Sequence, residues 1–395
     1  MVVSGSWADR GPGRSTTAGS GYGWRMAVGA HLLPSLSTLS LEELQEWMAA
    51  HGHAPYRARQ VWGHLVTGTS FDEMSELPRG LRAELAACFR LSSLVEVARV
   101  DVDRGLTTKL LYRLDDGATV ESVIMRYPRR SSLCLSSQVG CPIRCPFCAT
   151  GQGPFGRNLR VEEIVDQAFD AARRLAAEGR RLSHVVFMGM GEPLANYEAV
   201  LHAVRRFSDP MGLGISPRRI TVSTSGLVPR IQRLAGEGVP LTLAVSLHAA
   251  RDELRDVLVP INRRYPIEEL VAAADLFAER TGRRVSYEWV LLAGVNDTER
   301  DVEEVSRLLR GRLAHLNLIP FNPVPEAPFR EPAPRDVQRF AAQLRARGVN
   351  VTVRDTRGRE GEAACGQLRA RTLAGGGQPD IAGSAGSIRR APSAT

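Results

Sequence analysis

The sequence predicts an α/β protein, a partial (β/α)6 barrel preceded by a small N-terminal helical domain and a short β meander. Three observations carry this reading. From residue 131 onward, apolar strand-like runs recur with helical stretches between them. Residues 37–92 hold three segments with apolar side chains at helical spacing. Between these regions lie three β-type runs, and the turn signal Asp115-Asp116-Gly117 joins the last two. A doubly wound sheet is the alternative arrangement of the same β/α units.

In chain order, residues 1–36 are dense in Gly and Ser without periodicity and read as a disordered extension, with Met26 as an alternative start. STLSLEELQEWMAAHG opens the folded part, with a serine before the helix and glutamate behind it, as in a capped N-terminus. YRARQVWGHLVTG and LPRGLRAELAACF supply two more helices, so 37–95 forms a helical accessory domain. Its basic and aromatic helices suit either RNA binding or plain packing on one another. LSSLVEVARVDVD, TTKLLYRLDD and TVESVIMRYP make the meander, assigned to 96–130. The barrel core is 131–356. Its strands are expected at 132–137, 184–189, 219–224, 241–247, 285–292, 315–320 and 349–354, because strands buried on both faces read as apolar runs. VEEIVDQAFDAARRLAAEG and DVEEVSRLLRGRL are examples of the helices between them. About six units fall short of the eight of a closed barrel, and a ligand site is expected at the C-terminal strand ends. Residues 357–372 form a cysteine-bearing loop and 373–395 a disordered tail.

Composition narrows the function classes. At 43% hydrophobic and 24% charged residues, the 395-residue chain is not wholly disordered. It contains no run near the ~18 apolar residues of a membrane span. No basic segment followed by an apolar stretch marks a secretory signal. A cytoplasmic protein with no membrane partner is expected. The net charge of +8 comes from 51 basic against 43 acidic side chains, and Lys109 is the only lysine among the 51. That ratio reads as a codon signature. The arginine-borne excess itself suits phosphate, onto which a planar guanidinium forks.

The six cysteines are Cys88, Cys134, Cys141, Cys145, Cys148 and Cys365. Cys141-Pro-Ile-Arg-Cys145-Pro-Phe-Cys148 follows the first strand of the alternating region. Three thiolates on one loop can hold three irons of a [4Fe–4S] cubane and leave the fourth open. Zinc is the alternative. A closed zinc site takes four ligands, with Cys134 or a histidine as the fourth, and would make the chain a zinc-stabilised RNA-binding protein. The position at a strand end favours the cluster. Cys88, on the apolar face of a helix, reads as core. Cys134 and Cys365 read by default as buried thiols. Cys365, however, sits in RGREGEAACGQL, which is Gly-rich, charged and unsuited to a core.

CxxxCxxC with Phe147 before its last cysteine, opening a partial barrel, resembles the radical SAM superfamily. MGMGEPLAN (188–196), STSG (223–226), SLHA (246–249) and PFNP (320–323) each end an expected strand and resemble segments of that superfamily. Together with CLSSQVGCPIRCPFCATGQGPFGRNL (134–159) and RGREGEAACGQL (357–368), they resemble the radical-SAM RNA adenine-C2 methyltransferases of the RlmN type, over roughly 37–372. The long cysteine segment is the specific part. STSG or SLHA alone is weak.

The resemblance implies roles. Cys141, Cys145 and Cys148 ligate the cluster, whose open iron chelates S-adenosylmethionine. Gly191, Glu192, Ser223, Ser246, Leu247, His248 and Asn322 contact that cofactor. Two molecules of it are consumed. The first methylates Cys365. The second yields a 5′-deoxyadenosyl radical that takes a hydrogen from that methyl group, and the resulting radical adds to adenine C2. Glu121 accepts the C2 proton, with an exposed strand glutamate as the plain alternative. Cys134 then releases the product by forming a transient disulfide with Cys365.

The substrates implied are an adenine of 23S rRNA at the peptidyl-transferase centre and the tRNA adenine 3′ of the anticodon. Either base must leave its stack. Methylation at adenine C8 is the sibling reading, since the motifs quoted do not separate the two. Family analogy adds an electron donor such as flavodoxin, and a monomer is expected.

Overall fold

The computed structural model describes residues 33–67, 70–324 and 327–354. The chain folds into three helices, three antiparallel strands and a barrel of parallel strands, in that order. Helices α1 (Leu41–Ala50), α2 (Arg57–Thr67) and α3 (Arg79–Cys88) come first. Ser40 caps α1, accepting from the Glu43 amide while the Glu43 carboxylate accepts from the Ser40 amide. Leu44, Trp47 and Met48 share the buried face of α1. Cys88 ends α3 half-buried, packed against the same core.

Order begins before residue 37. Ser35 and Leu36 are fully buried, and Ser35 bridges to Arg90. The cause is Asp166 in the barrel, whose carboxylate accepts from the hydroxyls of Ser35, Ser37 and Ser93 and from the Ser93 amide. Four donors around one buried carboxylate hold the helical region on the barrel. Composition did not show this, because Ser35 is one of the serines that made residues 1–36 look unstructured.

Strands β1 (Val95–Val102), β2 (Thr107–Arg113) and β3 (Thr119–Tyr127) form the meander, with Asp115-Asp116-Gly117 at the β2–β3 turn. They are not a separate sheet. β3 pairs antiparallel with β4 (Arg130–Cys134), so one ten-stranded sheet runs from β1 to the far edge of the barrel. The turn aspartates are tied down by arginines. Asp115 pairs with Arg90 and Arg160, and Asp116 pairs with Arg157.

After β4 come the two-residue strand β5 (Gln138–Val139), the short helix α4 (Ala149–Gln152) and β6 (Arg157–Asn158), which pairs back onto β5. The repeat then continues with α5 (Val161–Ala177), β7 (His184–Phe187), α6 (Tyr197–Ser208), β8 (Ile220–Thr224), α7 (Val228–Gly236) and β9 (Thr242–Ser246). It closes with α8 (Asp252–Leu258), α9 (Ile267–Thr281), β10 (Val285–Leu291), α10 (Glu299–Leu309), β11 (Ala314–Pro320), α11 (Pro334–Ala346) and β12 (Val351–Val353). β4, β7, β8, β9, β10, β11 and β12 are parallel and adjacent in that order. Six β/α crossovers over seven strands give the partial barrel the sequence predicts. Strand interiors such as Leu243, Ala244 and Val245 are fully buried.

Candidate active site

The cysteine loop is held open by its ends. β5 and β6 clasp the segment that leaves β4, and Gln138 donates to the Asn158 side chain at 2.7 Å. Gly140 has φ +78, and a Cβ there would lie 2.2 Å from the Pro154 carbonyl oxygen. A Cβ on Gly151 would lie 2.8 Å from the Cys145 carbonyl oxygen. The loop therefore turns back on itself at two places that admit no side chain. This is the physical content of the long glycine-spaced segment.

Burial raises the Cys141 thiol to about 12, and the charges of Glu192 and Cys148 push the same way. Burial also lifts Cys145 well above the ordinary thiol value, with Cys148 and Cys141 adding to it. Three thiols that disfavour one another's ionisation are a set that a cationic group stabilises as thiolates. Ile143, Cys145, Phe147 and Ala149 pack with Ala249, Leu292 and Phe321, so the loop sits on an apolar floor. Among the described residues, no three His, Cys, Asp or Glu side chains converge on a single metal ion. In a cubane each thiolate takes its own iron, so the sulfurs need not meet at one point. The loop fits such a cluster.

The strand ends behind the loop are interlocked. Gly191 has φ +108, and a Cβ there would meet the Gln138 side chain at 2.6 Å. The Glu192 amide donates to Gln138 Oε1 at 2.7 Å. Its carboxylate accepts from the Leu194 amide and from the amide and hydroxyl of Ser225, so it spans the ends of β7 and β8. Burial nevertheless leaves its carboxyl above the ordinary value. Ser223 donates to the Phe187 carbonyl oxygen at 2.9 Å. The Leu247 amide donates to the Glu288 carbonyl oxygen, which binds the end of β9 to β10.

His248 is 4% exposed and adopts φ +58, unusual for a residue with a side chain. Its Nδ1 accepts from the Val290 amide at 3.0 Å, and its ring meets Phe147 edge-on at 4.8 Å. Burial, reinforced by Arg255, pushes its pKa from the ordinary 6.5 down to about 3. Below pH 6.5 the unfolded chain therefore binds a proton that the folded chain refuses. Stability falls as pH drops from 6.5 towards 3. Between pH 6.5 and 5 the loss is about 2 kcal/mol, at 1.36 kcal/mol per pH unit. Denaturant unfolding at pH 7 and pH 5 should show a smaller acid loss in His248→Gln than in the parent protein. Equal losses would dismiss His248 as the acid-sensitive group.

A cavity of about 1280 Å³ occupies the barrel interior. Cys134, Phe147, Cys148, Met188 and Asn322 line it at the strand ends. Cys134, 7% exposed, thus shares a cavity with the cysteine loop. Glu121 is not an exposed strand glutamate. It is 3% exposed and faces the same side of β3 as Val123, which pairs with Cys134. Glu121 and Cys134 are diagonal neighbours across two strands, and the Ser136 hydroxyl donates to the Glu121 carbonyl oxygen. Cys365 lies outside the described residues.

Two residues escaped the sequence reading. Arg255 is fully buried on α8 and donates to the carbonyl oxygens of Leu247, Ser246 and Ser225 and to the Asn262 side chain. Its only signal was its place three residues before Leu258, on the buried face of α8. Lys109 lies 3.9 Å from Glu121, with 1% and 3% of the two side chains exposed. Folding the chain back at Asp115–Gly117 would have put residue 109 opposite 123.

Residues 135–309 match the profile of the radical SAM superfamily, and residues 35–91 match that of the ribosomal RNA large subunit methyltransferase N-terminal domain. A protein of Parafrankia sp. named "Probable dual-specificity RNA methyltransferase RlmN" is 51% identical, over 90% of this chain and 97% of its own length. One of the same name from Moorella thermoacetica is 51% identical, over 83% and 95%. The crystal structure of a radical SAM methyltransferase from Sphaerobacter thermophilus superposes with a TM-score of 0.81 at 50% identity, covering 85% of this chain and 98% of that one.

Proposed function

Since the chain belongs to the RlmN-type RNA methyltransferases of the radical SAM superfamily, we propose that it methylates carbon 2 of adenine in 23S rRNA and tRNA. S-adenosylmethionine and a [4Fe–4S] cluster are the cofactors of that superfamily. Cys141, Cys145 and Cys148 hold the cluster. Gly191, Glu192, Ser223, Ser246, Leu247, His248 and Asn322 hold S-adenosylmethionine against it. When bound, the two together supply a radical able to abstract hydrogen from a methyl group.

The chain's own residues do the rest. Cys365 carries the methyl carbon on its sulfur and delivers it to the base. Glu121 accepts the proton that leaves C2. Cys134 attacks the Cys365 sulfur as a thiolate: the S–S bond forms as the bond from sulfur to the methylene carbon breaks, and that carbon keeps the electron pair and takes a proton to become the methyl group of the released adenine. The observation that supports this division of labour is the placing of Cys134. It is a thiol outside the CxxxCxxC loop, yet it lines the same cavity as Cys148 and lies diagonal to Glu121.

An adenine enters the cavity only after leaving its stack. Arginine contacts to phosphate supply affinity without sequence preference. No helix among the described residues is long and apolar enough to cross a membrane. The proposal includes a cytoplasmic monomer that draws electrons from a donor such as flavodoxin.

The test is nucleoside mass spectrometry. RNA incubated with anaerobically purified enzyme, S-adenosylmethionine and reductant should yield 2-methyladenosine from both RNA classes, with about four irons per chain. Product at C8 would move the chain to the sibling activity. A colourless, zinc-loaded and inactive protein would end the reading.

A further inference from the structure

Lys109 is the only lysine in a chain with 51 basic residues. Whatever draws arginine to the other basic positions has not done so at 109. The structure shows where that exception stands. Lys109 is 1% exposed on β2, opposite Val123 of β3, and Val123 is opposite Cys134 of β4. Its ammonium lies 3.9 Å from Glu121 Oε2. Lys109, Val123 and Cys134 thus form one row across three strands on the face that lines the cavity, with Glu121 beside the row.

We propose that Lys109 is the positioning residue for Glu121, holding its carboxylate in place and turned towards the adenine C2 that it deprotonates. This rests on the assignment of Glu121 as proton acceptor and goes beyond it. A buried carboxylate away from water needs hydrogen-bond donors or a compensating cation. Lys109 supplies one on the neighbouring strand. The type of cation matters as well. An arginine at 109 would fork across both carboxylate oxygens and would need partners for five donors in a site closed to solvent. An ammonium is a compact point charge that meets the carboxylate at one oxygen. In the step itself the proton passes from C2 of the adduct to a Glu121 oxygen and the C–H electron pair stays in the purine ring, while the unpaired electron left by radical addition would pass to an iron–sulfur cluster acting as one-electron acceptor. The carboxyl becomes neutral, and Lys109 keeps its protons throughout.

The experiment uses the reconstituted full chain with RNA and S-adenosylmethionine. It follows 5′-deoxyadenosine release, covalent enzyme–RNA adduct and methylated product in Lys109→Met, Glu121→Gln and the double variant. Lys109→Met should still release 5′-deoxyadenosine and form adduct. It should resolve that adduct about 10- to 100-fold more slowly, at or below the low end of the roughly 10²–10⁴-fold of a full general-base contribution, because Glu121 itself remains. The double variant should be no slower than Glu121→Gln alone, because the two residues act through one proton transfer. Where Lys109→Met does not fold, Lys109→Gln keeps the donor without the charge and should show the same trapped adduct. Product formation within twofold of the parent in Lys109→Met would overturn the inference, as would slowing factors that simply multiply in the double variant. Loss of 5′-deoxyadenosine together with product would make Lys109 structural and would also overturn it. If Glu121→Gln itself turns over normally, the proton-acceptor assignment fails first. If it traps adduct while Lys109→Met does not, only the role of Lys109 fails.

Discussion

Cys134→Ala should leave RNA covalently attached to the enzyme, while Cys365→Ala should attach none. Under the proposed mechanism the methyl carbon can still be carried on Cys365 and joined to adenine in the first variant, so addition is expected to proceed. Release fails because no thiol is placed to take the Cys365 sulfur. Cys134 ends β4, 7% exposed, in the cavity it shares with Cys148. In the second variant the carrier is gone, so no bond between protein and RNA forms. Denaturing gels with labelled RNA read both outcomes directly. Turnover should fall by several orders of magnitude in each. Normal methylation by both variants would refute the two-thiol assignment.

Arg255→Leu should cost more stability than any surface change and should also disable cofactor binding. Arg255 is fully buried and satisfies three backbone carbonyls and the Asn262 amide oxygen. Those carbonyls belong to Ser225, Ser246 and Leu247, at the ends of β8 and β9. Burial depresses the guanidinium to about 10, which still leaves it charged at neutral pH. Each acceptor left unpaired in the interior costs about 1–3 kcal/mol, and partial relaxation makes about 3–5 kcal/mol a reasonable total. Thermal melts should show a drop of several degrees. Binding titrations should show at least about a tenfold loss of S-adenosylmethionine affinity, since the strand ends that carry Ser246–His248 lose their common anchor. An unchanged melt would show that Asn262 and the helix hold those ends without Arg255.

The barrel was legible in the sequence because one face of each strand is fully buried and keeps its apolar residues, even where the inward face lines the cavity with His184, Thr221 or Asn317. The cysteine loop was legible because close approach forbids side chains at Gly140 and Gly151, and spaced glycines are visible in any sequence. The burial of Glu121 was hidden. In TVESVIMRY the adjacent Glu121 and Ser122 read as solvated, whereas the strand lies enclosed between β2 and β4. Arg255 was hidden because charge in a short helix reads as solvated. What buries it is the set of carbonyls at two strand ends, and no local pattern announces them. The early start at Ser35 depended on Asp166, more than a hundred residues away.

The continuous sheet has a consequence for how this chain can change by insertion and deletion. Lys109 and Glu121 share a pleat face with Val123 and Cys134, which line the cavity, through alternation alone, on three strands hydrogen-bonded into one ladder. Adding or removing one residue within β3 beyond Glu121 would turn Glu121 away from the cavity while leaving β4 in place. Two residues would return it to the correct side, displaced by one step along the strand. The common facing of these side chains is thus guarded by a parity rule. Single-residue length changes in β2 or β3 break this rule, whereas a change of length at the Asp115–Gly117 turn keeps it so long as the strands beyond keep their count, at the cost of the turn's ion pairs with Arg90, Arg157 and Arg160.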